Sequence, residues 1–212
     1  MPELRTDRRR EAGQWTQARL VDAALDLLAE RGEDGVTLRE LTKAAEANIA
    51  AVSYHFGSLG SLCDTAIEHA LERYLDAQQK AVSELGPEST IEEAAEAFAR
   101  PMMKALALGG RELAVMRIVA RAGIDPPAGW ERLGPRFDGI RADVVRALKA
   151  RLPDIKRREL IFRVRCAAGM LNWLTLAPIG YELTNKPEKQ LERLLIPLLA
   201  GAFRGSSPKT SR

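Results

Sequence analysis

Apolar residues recur at spacings of three and four along most of the chain, and the strict alternation of a half-buried strand is missing, so the pattern predicts an all-helical protein. Leu20, Ala24, Leu27 and Leu28 share one face of a first long helix, with Thr16 as its expected N-cap, Trp15 placed to staple onto Leu20, and Gly32 as its stop. A longer helix is expected from Ser58, itself a cap, to about residue 85; Leu62, Ala66, Leu71, Leu75 and Val82 are among its apolar positions and Gly86-Pro87 ends it. Further helices are predicted over 90–108, 111–122, 130–152, 154–177 and 187–203, divided by Gly109-Gly110, Asp125-Pro126-Pro127, Pro153 and Pro178. Pro101 and Pro197 fall inside two of these and are expected to kink or split them.

Between the first two long helices, the stretch VTLRELTKAAEANIAAVSYHFGSLGSL from Val36 to Leu62 has a finer grain. Thr37 and Glu40 form the signature of a capping box, with Val36 and Leu41 as a hydrophobic staple, and Leu38, Leu41 and Ala45 run along one face. The pattern breaks at Ala45-Glu46-Ala47-Asn48. Asn48 then caps a second short helix, to His55, whose Ile49, Val52 and Phe56 are expected to point inward. Two short helices across a tight turn form a helix-turn-helix, in which the second helix enters a major groove while the first crosses the backbone.

Composition narrows the class. With 46% hydrophobic and 29% charged residues and no low-complexity run, the chain of 212 residues is an ordered globular protein. No apolar run approaches the roughly 18 to 20 residues of a membrane span, and the arginine-rich start has no signal-peptide core, so a cytoplasmic location is expected with no membrane partner. Cys63 and Cys166 have neither disulfide-framework nor metal spacing and read as two small core hydrophobes. His55 and His69 are the two histidines, and their separation suits no metal motif. No Gly-rich phosphate loop or nucleophile elbow occurs, so no catalytic residue, metal or cofactor is assigned and the protein is not expected to be an enzyme. Glu92-Glu93 reads as a solvated face.

Charge distribution qualifies the DNA reading. The formal net charge is +3, but residues 1–60 hold 8 Lys or Arg against 10 Asp or Glu, and the basic excess lies beyond residue 145. What counts is whether the few cations face phosphate. Arg5, Arg8, Arg9 and Arg10 cluster before the first helix, as a minor-groove arm or as a solvated terminus. The second short helix lacks Arg and Lys, so bidentate reading of guanine is not available within it. Softer contacts remain: Ala50 and Ala51 to thymine methyls, Ser53 and Asn48 by hydrogen bond, Thr37 and Arg39 to the backbone or a base edge, and Tyr54 and His55 to phosphates.

The run Ala45, Glu46, Ala47, Asn48, then Val52, Ser53, Tyr54, His55, Phe56, Gly57 and Ser58 resembles the TetR family of one-component transcriptional regulators, closely from about Trp15 to Leu62. Three departures from the family pattern stand out. Glu46 stands where glycine is usual, Ser53 replaces a tyrosine, and Leu59-Gly60 replaces a lysine and an acidic residue, removing a phosphate contact. Glu46 costs on the order of 1 kcal/mol if the turn needs a left-handed residue there.

The resemblance implies a DNA-binding domain over 1–57, which includes the basic N-terminal arm, and a helical ligand-binding and dimerisation domain over 58–204; the small, polar and basic composition of 205–212 reads as a disordered tail. It also implies a small-molecule effector enclosed by the middle helices. Met102, Met103, Leu106, Met116, Phe137, Met170 and Trp173 are the candidates for a partly apolar pocket, with ordinary core as the alternative. For a homodimer, Phe162, Cys166, Gly169, Met170, Trp173 and Ala177 mark one stripe, and Leu191, Leu194, Leu195, Leu198 and Ala202 another. The stripes either pack within one chain or, as the family implies, form a four-helix interface. The expected function is a repressor released from its operator by a small molecule; the alternative is a helical ligand-binding or scaffold protein without specific DNA recognition.

Overall fold

The computed structural model describes residues 3–32, 35–127, 130–177 and 182–205, leaving aside the side chains of residues 3–11. Nine helices are described: α1 (Glu3–Arg31), α2 (Leu38–Ala44), α3 (Ile49–Phe56), α4 (Leu59–Ser83), α5 (Ile91–Leu108), α6 (Gly110–Ala122), α7 (Trp130–Arg151), α8 (Arg157–Leu176) and α9 (Glu188–Arg204). There is no strand among the described residues, as the periodicity predicts. The break expected at Pro178 and the tail beyond Gly205 lie outside them.

Two compact units divide within α4, between Leu71 and Glu72, rather than at Gly57-Ser58. In the first, α1 packs on α2 and α3, and Leu20, Ala24, Leu28, Leu41 and Val52 are buried. One long helix and two short ones enclose a small core. The unit therefore takes in the opening turns of α4, whose Leu62, Ala66 and Ala70 are fully buried. Ser58 caps α4 as predicted, its hydroxyl accepting from the Ser61 amide at 3.0 Å.

The start of α1 differs from its sequence reading. The backbone is already helical from Glu3, so the segment of Arg5, Arg8, Arg9 and Arg10 forms early turns of α1 rather than an extended arm; their side chains lie outside the described residues. Thr16 is thus an interior residue and not a cap: its hydroxyl donates back to the Ala12 carbonyl at 2.9 Å. Trp15 is 73% exposed and staples nothing.

In the second unit α5 packs against α6, α7 and α9, while α8 packs against α6, α7 and α9. Met103, Leu106, Ile140, Leu148, Leu160 and Phe203 are among its fully buried side chains, and the Phe98 and Phe203 rings meet edge to face at 6.1 Å. Thr90 and Glu93 make a complete capping box on α5. Glu92 and Glu93 are both exposed, as expected of a solvated face, and Glu92 also pairs with Arg204. Pro101 and Pro197 do not split their helices, which run on through both residues. The helix predicted from residue 154 begins at Arg157, because Lys149 Nζ donates to the Pro153 and Ile155 carbonyls at 2.5 and 2.7 Å and holds that segment as a loop. Cys63 is buried as expected; Cys166 is exposed, not core.

Candidate nucleic-acid interface

Local chemistry fixes both ends of α2 and the start of α3. The Glu40 amide donates to the Thr37 hydroxyl at 3.3 Å. The Glu40 carboxylate accepts from that hydroxyl at 2.6 Å and from Arg31 at 2.7 Å, tying the start of α2 to the end of α1. These bonds hold the Glu40 carboxyl below the usual range, first through Thr37 and then through Arg31. They also occupy the Thr37 hydroxyl proton, so a phosphate contact there has to displace a bond already made. At the other end Ala45 is the C-cap and Glu46 has φ +45°, the left-handed residue that the turn requires. The Glu46 and Ala47 amides donate to the Lys43 and Thr42 carbonyls at 3.2 and 2.9 Å, the two bonds of a Schellman motif. Asn48 then caps α3, accepting from the Ala50 amide at 3.1 Å.

Along α3 only Val52 is fully buried. Ile49 was expected to face inward with Val52, but it is 50% exposed. Phe56 is half-buried. Eight residues make about two turns, and the packing of Val52 takes up most of the inward arc, so residue 49 falls at its margin. Asn48, Ala50 and Ser53 are exposed and Ala51 is half-buried. Tyr54, at 84% exposure, is no core aromatic; its ring stands edge to face on His55 at 4.9 Å. On α2 Arg39 and Lys43 lie one turn apart, both exposed, and neither has an ion-pair partner among the described residues. Lys43 is a cation that periodicity alone does not orient, and its exposure adds it to the candidates. Phosphate contacts from such side chains position a protein; contacts to base edges specify the sequence.

Comparison with known proteins bears on the whole chain. The family model described as "Bacterial regulatory proteins, tetR family" matches residues 20–62, and "Tetracyclin repressor-like, C-terminal domain" matches residues 96–201, half of the chain. The chain belongs to the TetR family of transcriptional regulators. These regulators are not enzymes. Among curated proteins, the chain is 30% identical over 78 residues to the "Probable HTH-type transcriptional regulator YttP" of Bacillus subtilis (strain 168); the match covers 37% of this chain and 38% of that protein. Among solved structures, a TetR-like transcriptional regulator from Rhodococcus sp. RHA1 superposes with a TM-score of 0.65 at 15% identity, covering 90% of this chain and 97% of that one. A transcriptional regulator from the same source gives 0.60 at 25%, covering 91% and 99%. The TetR-family regulator PfmR of Thermus thermophilus gives 0.64 at 18%, covering 89% and 99%.

In this TetR-family chain the second unit separates the residues expected at an interface into two sets. Phe162 (66% exposed), Cys166, Gly169 and Trp173 (58%) run exposed along α8. On α9 Leu194 and Leu198 are half exposed. Leu191 and Leu195, expected in the same stripe, are instead buried within the chain at 0% and 3%, in line with Leu199 and Phe203; Ala202 is half-buried. The helix is apolar on two faces, and its own chain already covers one of them.

Of the residues expected around an effector, Met102, Met103, Leu106, Met116 and Phe137 are buried and Met170 is half-buried, while the exposed Trp173 sits on the surface stripe. Phe137 stacks with both Trp130 and Tyr74, ring centres 5.0 and 5.9 Å away, and Arg141 lies 5.7 Å from its ring centre. Desolvation pushes the Tyr74 hydroxyl up to about 12. One described cleft, about 350 Å³, lies between the second half of α4, the loop after it and α7; Val82, Ser83, Pro87, Asp143 and Ala147 are among its lining residues. None of the seven residues named above lines it. Among the described residues no group of His, Cys, Asp or Glu is placed to hold a metal ion, and no helix is long and apolar enough to cross a membrane.

Proposed function

We propose that this regulator is a cytoplasmic homodimeric repressor that reads double-stranded operator DNA through α3 and is released by a small, partly apolar effector held in its second unit. The exposure pattern of α3 carries the reading: Val52 anchors the helix and leaves Asn48, Ala50, Ser53 and Tyr54 outward. Arg39 and Lys43 of α2 supply cations for phosphate, and His55 a further polar contact. With no Arg or Lys in α3, one head binds weakly. Pairing two heads through α8 and α9 at half-sites roughly 34 to 36 Å apart, or a multiple of that, raises the effective concentration of the second head, an advantage of about 10² to 10⁴. An effector releases DNA only by binding more tightly to a conformation whose heads no longer match the half-sites.

A second reading, a helical ligand-binding or scaffold protein, is favoured by the acidic balance of residues 1–60. Selection of genomic fragments under excess competitor DNA, followed by salt titration, separates the two. Enrichment of paired half-sites that resists competitor supports the regulator; binding with no preferred fragment supports the scaffold. Extraction of the purified protein for bound apolar compounds tests the effector.

A further inference from the structure

The corner between α2 and α3 carries a glutamate in a left-handed conformation, and the group that answers it comes from another helix. At φ +45° an L side chain crowds the backbone, a conformation glycine adopts freely. The closing bonds of the corner are made by main-chain amides and require no carboxylate. The Glu46 side chain instead engages α1. A single nitrogen, Arg19 Nη2, donates both to the Ala45 carbonyl and, at 3.1 Å, to the Glu46 carboxylate. This puts a cation at the C-terminal end of α2, where uncapped carbonyls favour positive charge. An isolated surface pair with side chains 43% and 84% exposed contributes little. The bond to the Ala45 carbonyl changes its character, because it ties α1 to the main chain of the corner itself. Arg19 also borders a cleft whose rim carries Asp22, Asp26 and Glu30.

We infer that Arg19 is a positioning residue for the recognition helix: it holds the Glu46 corner against α1 and so sets the direction in which α3 is presented. The inference rests on α3 being the DNA reader. Residues 45–48 are the whole connection between α2 and α3, so the backbone angles at Glu46 determine where α3 points. Where the family usually has glycine, this chain uses a charged residue and a partner 27 positions earlier. Corner geometry therefore becomes sensitive to ionic strength in a way that a glycine corner is not.

The test compares the full-length protein with Arg19→Ala, Glu46→Gly and the double variant. Without DNA, hydrogen exchange is read at the Ala47 amide, which closes the corner. Arg19→Ala accelerates it by about tenfold at low salt and leaves amides of the second unit unchanged. In the Glu46→Gly background the same substitution changes it by less than about twofold, since glycine holds the conformation unaided. Salt near 1 M reproduces the Arg19→Ala effect on the wild type. With selected DNA fragments, Arg19→Ala weakens binding by about fivefold, while the double variant stays within about twofold of Glu46→Gly.

Equal acceleration in both backgrounds means that Arg19 acts without Glu46, by packing or through the Ala45 carbonyl alone, and none in either makes it an idle surface charge; each overturns the coupling to Glu46 on which the inference rests. An equal loss of DNA affinity in both backgrounds overturns it too, by making Arg19 a direct phosphate contact. If exchange behaves as expected but no form prefers any fragment, the clamp stands and the DNA reading falls. Selective wild-type binding with no coupling in exchange is the reverse.

Discussion

Leu195 and Leu198 stand three residues apart on α9, yet Leu195 is 3% exposed and Leu198 is 49% exposed. One belongs to the core of the second unit and the other to a surface that also carries Leu194. A charge placed at these two positions should therefore act on different equilibria.

Leu198→Glu is expected to give a helical, folded monomer with weak operator binding, although the first unit is untouched. Leu195→Glu is expected to lose the fold: removing a packed leucine already costs about 2 to 5 kcal/mol, and the buried carboxylate adds to that. Sedimentation and thermal melts on the same samples decide it. A Leu198→Glu protein that stays dimeric would remove this face of α9 from the interface.

Tyr54 and Ser53 are adjacent on α3 and both exposed, but their roles should differ. Tyr54→Phe is expected to weaken binding to different DNA sequences by a common factor of roughly ten, the loss of one hydrogen bond to a charged group, with folding unchanged. Ser53→Ala should instead alter which fragments are preferred. Affinities measured across a panel of fragments separate the outcomes, and identical profiles for all three proteins would refute both roles.

Acid should weaken the start of α5. The Thr90 amide and hydroxyl hold the Glu93 carboxyl below its ordinary value of 4.5, and the Arg204 guanidinium does the same for Glu92. A depressed folded-state pKa contributes stability that is fully present above the unfolded value and is lost as pH falls through the folded one. Glu93→Gln and Glu92→Gln should thus melt below wild type at pH 7, with the difference closing as pH drops below about 4.5. A difference that persists at low pH would mean that packing, not charge, is responsible.

Gly109 joins α5 to α6 at φ +62° and ψ −154°, a region open to glycine. A Cβ there would come within 2.4 Å of Asn185 Oδ1, while the Asn185 amide donates to the Leu106 carbonyl at 2.8 Å. Gly109→Ala is expected to cost about 1 to 3 kcal/mol from the backbone alone, and more from the collision with Asn185. Gly139, whose added Cβ would meet nothing within 4 Å, is the control: Gly139→Ala should be neutral or stabilising in the same melts.

Much of the architecture was legible because its signals are local. The caps at Thr37, Asn48 and Ser58 bond to amides two or three residues away, so a short window of sequence contains both partners. Thr16 shows the limit of that logic. Its residue type fits a cap, but the preceding segment is itself helical, and the hydroxyl turns back to Ala12.

The sequence by itself determined the helical class, most helix ends, the helix-turn-helix and the faces that α1 and α2 bury. Only tertiary structure decided which of the two apolar faces of α9 is covered, that Cys166 and Trp173 lie on the surface while Met103 and Leu106 are core, and that a left-handed glutamate is held by an arginine on another helix. Helical periodicity states which side chains share a face. Whether a face is covered depends on elements far away in sequence, and no local pattern records that packing.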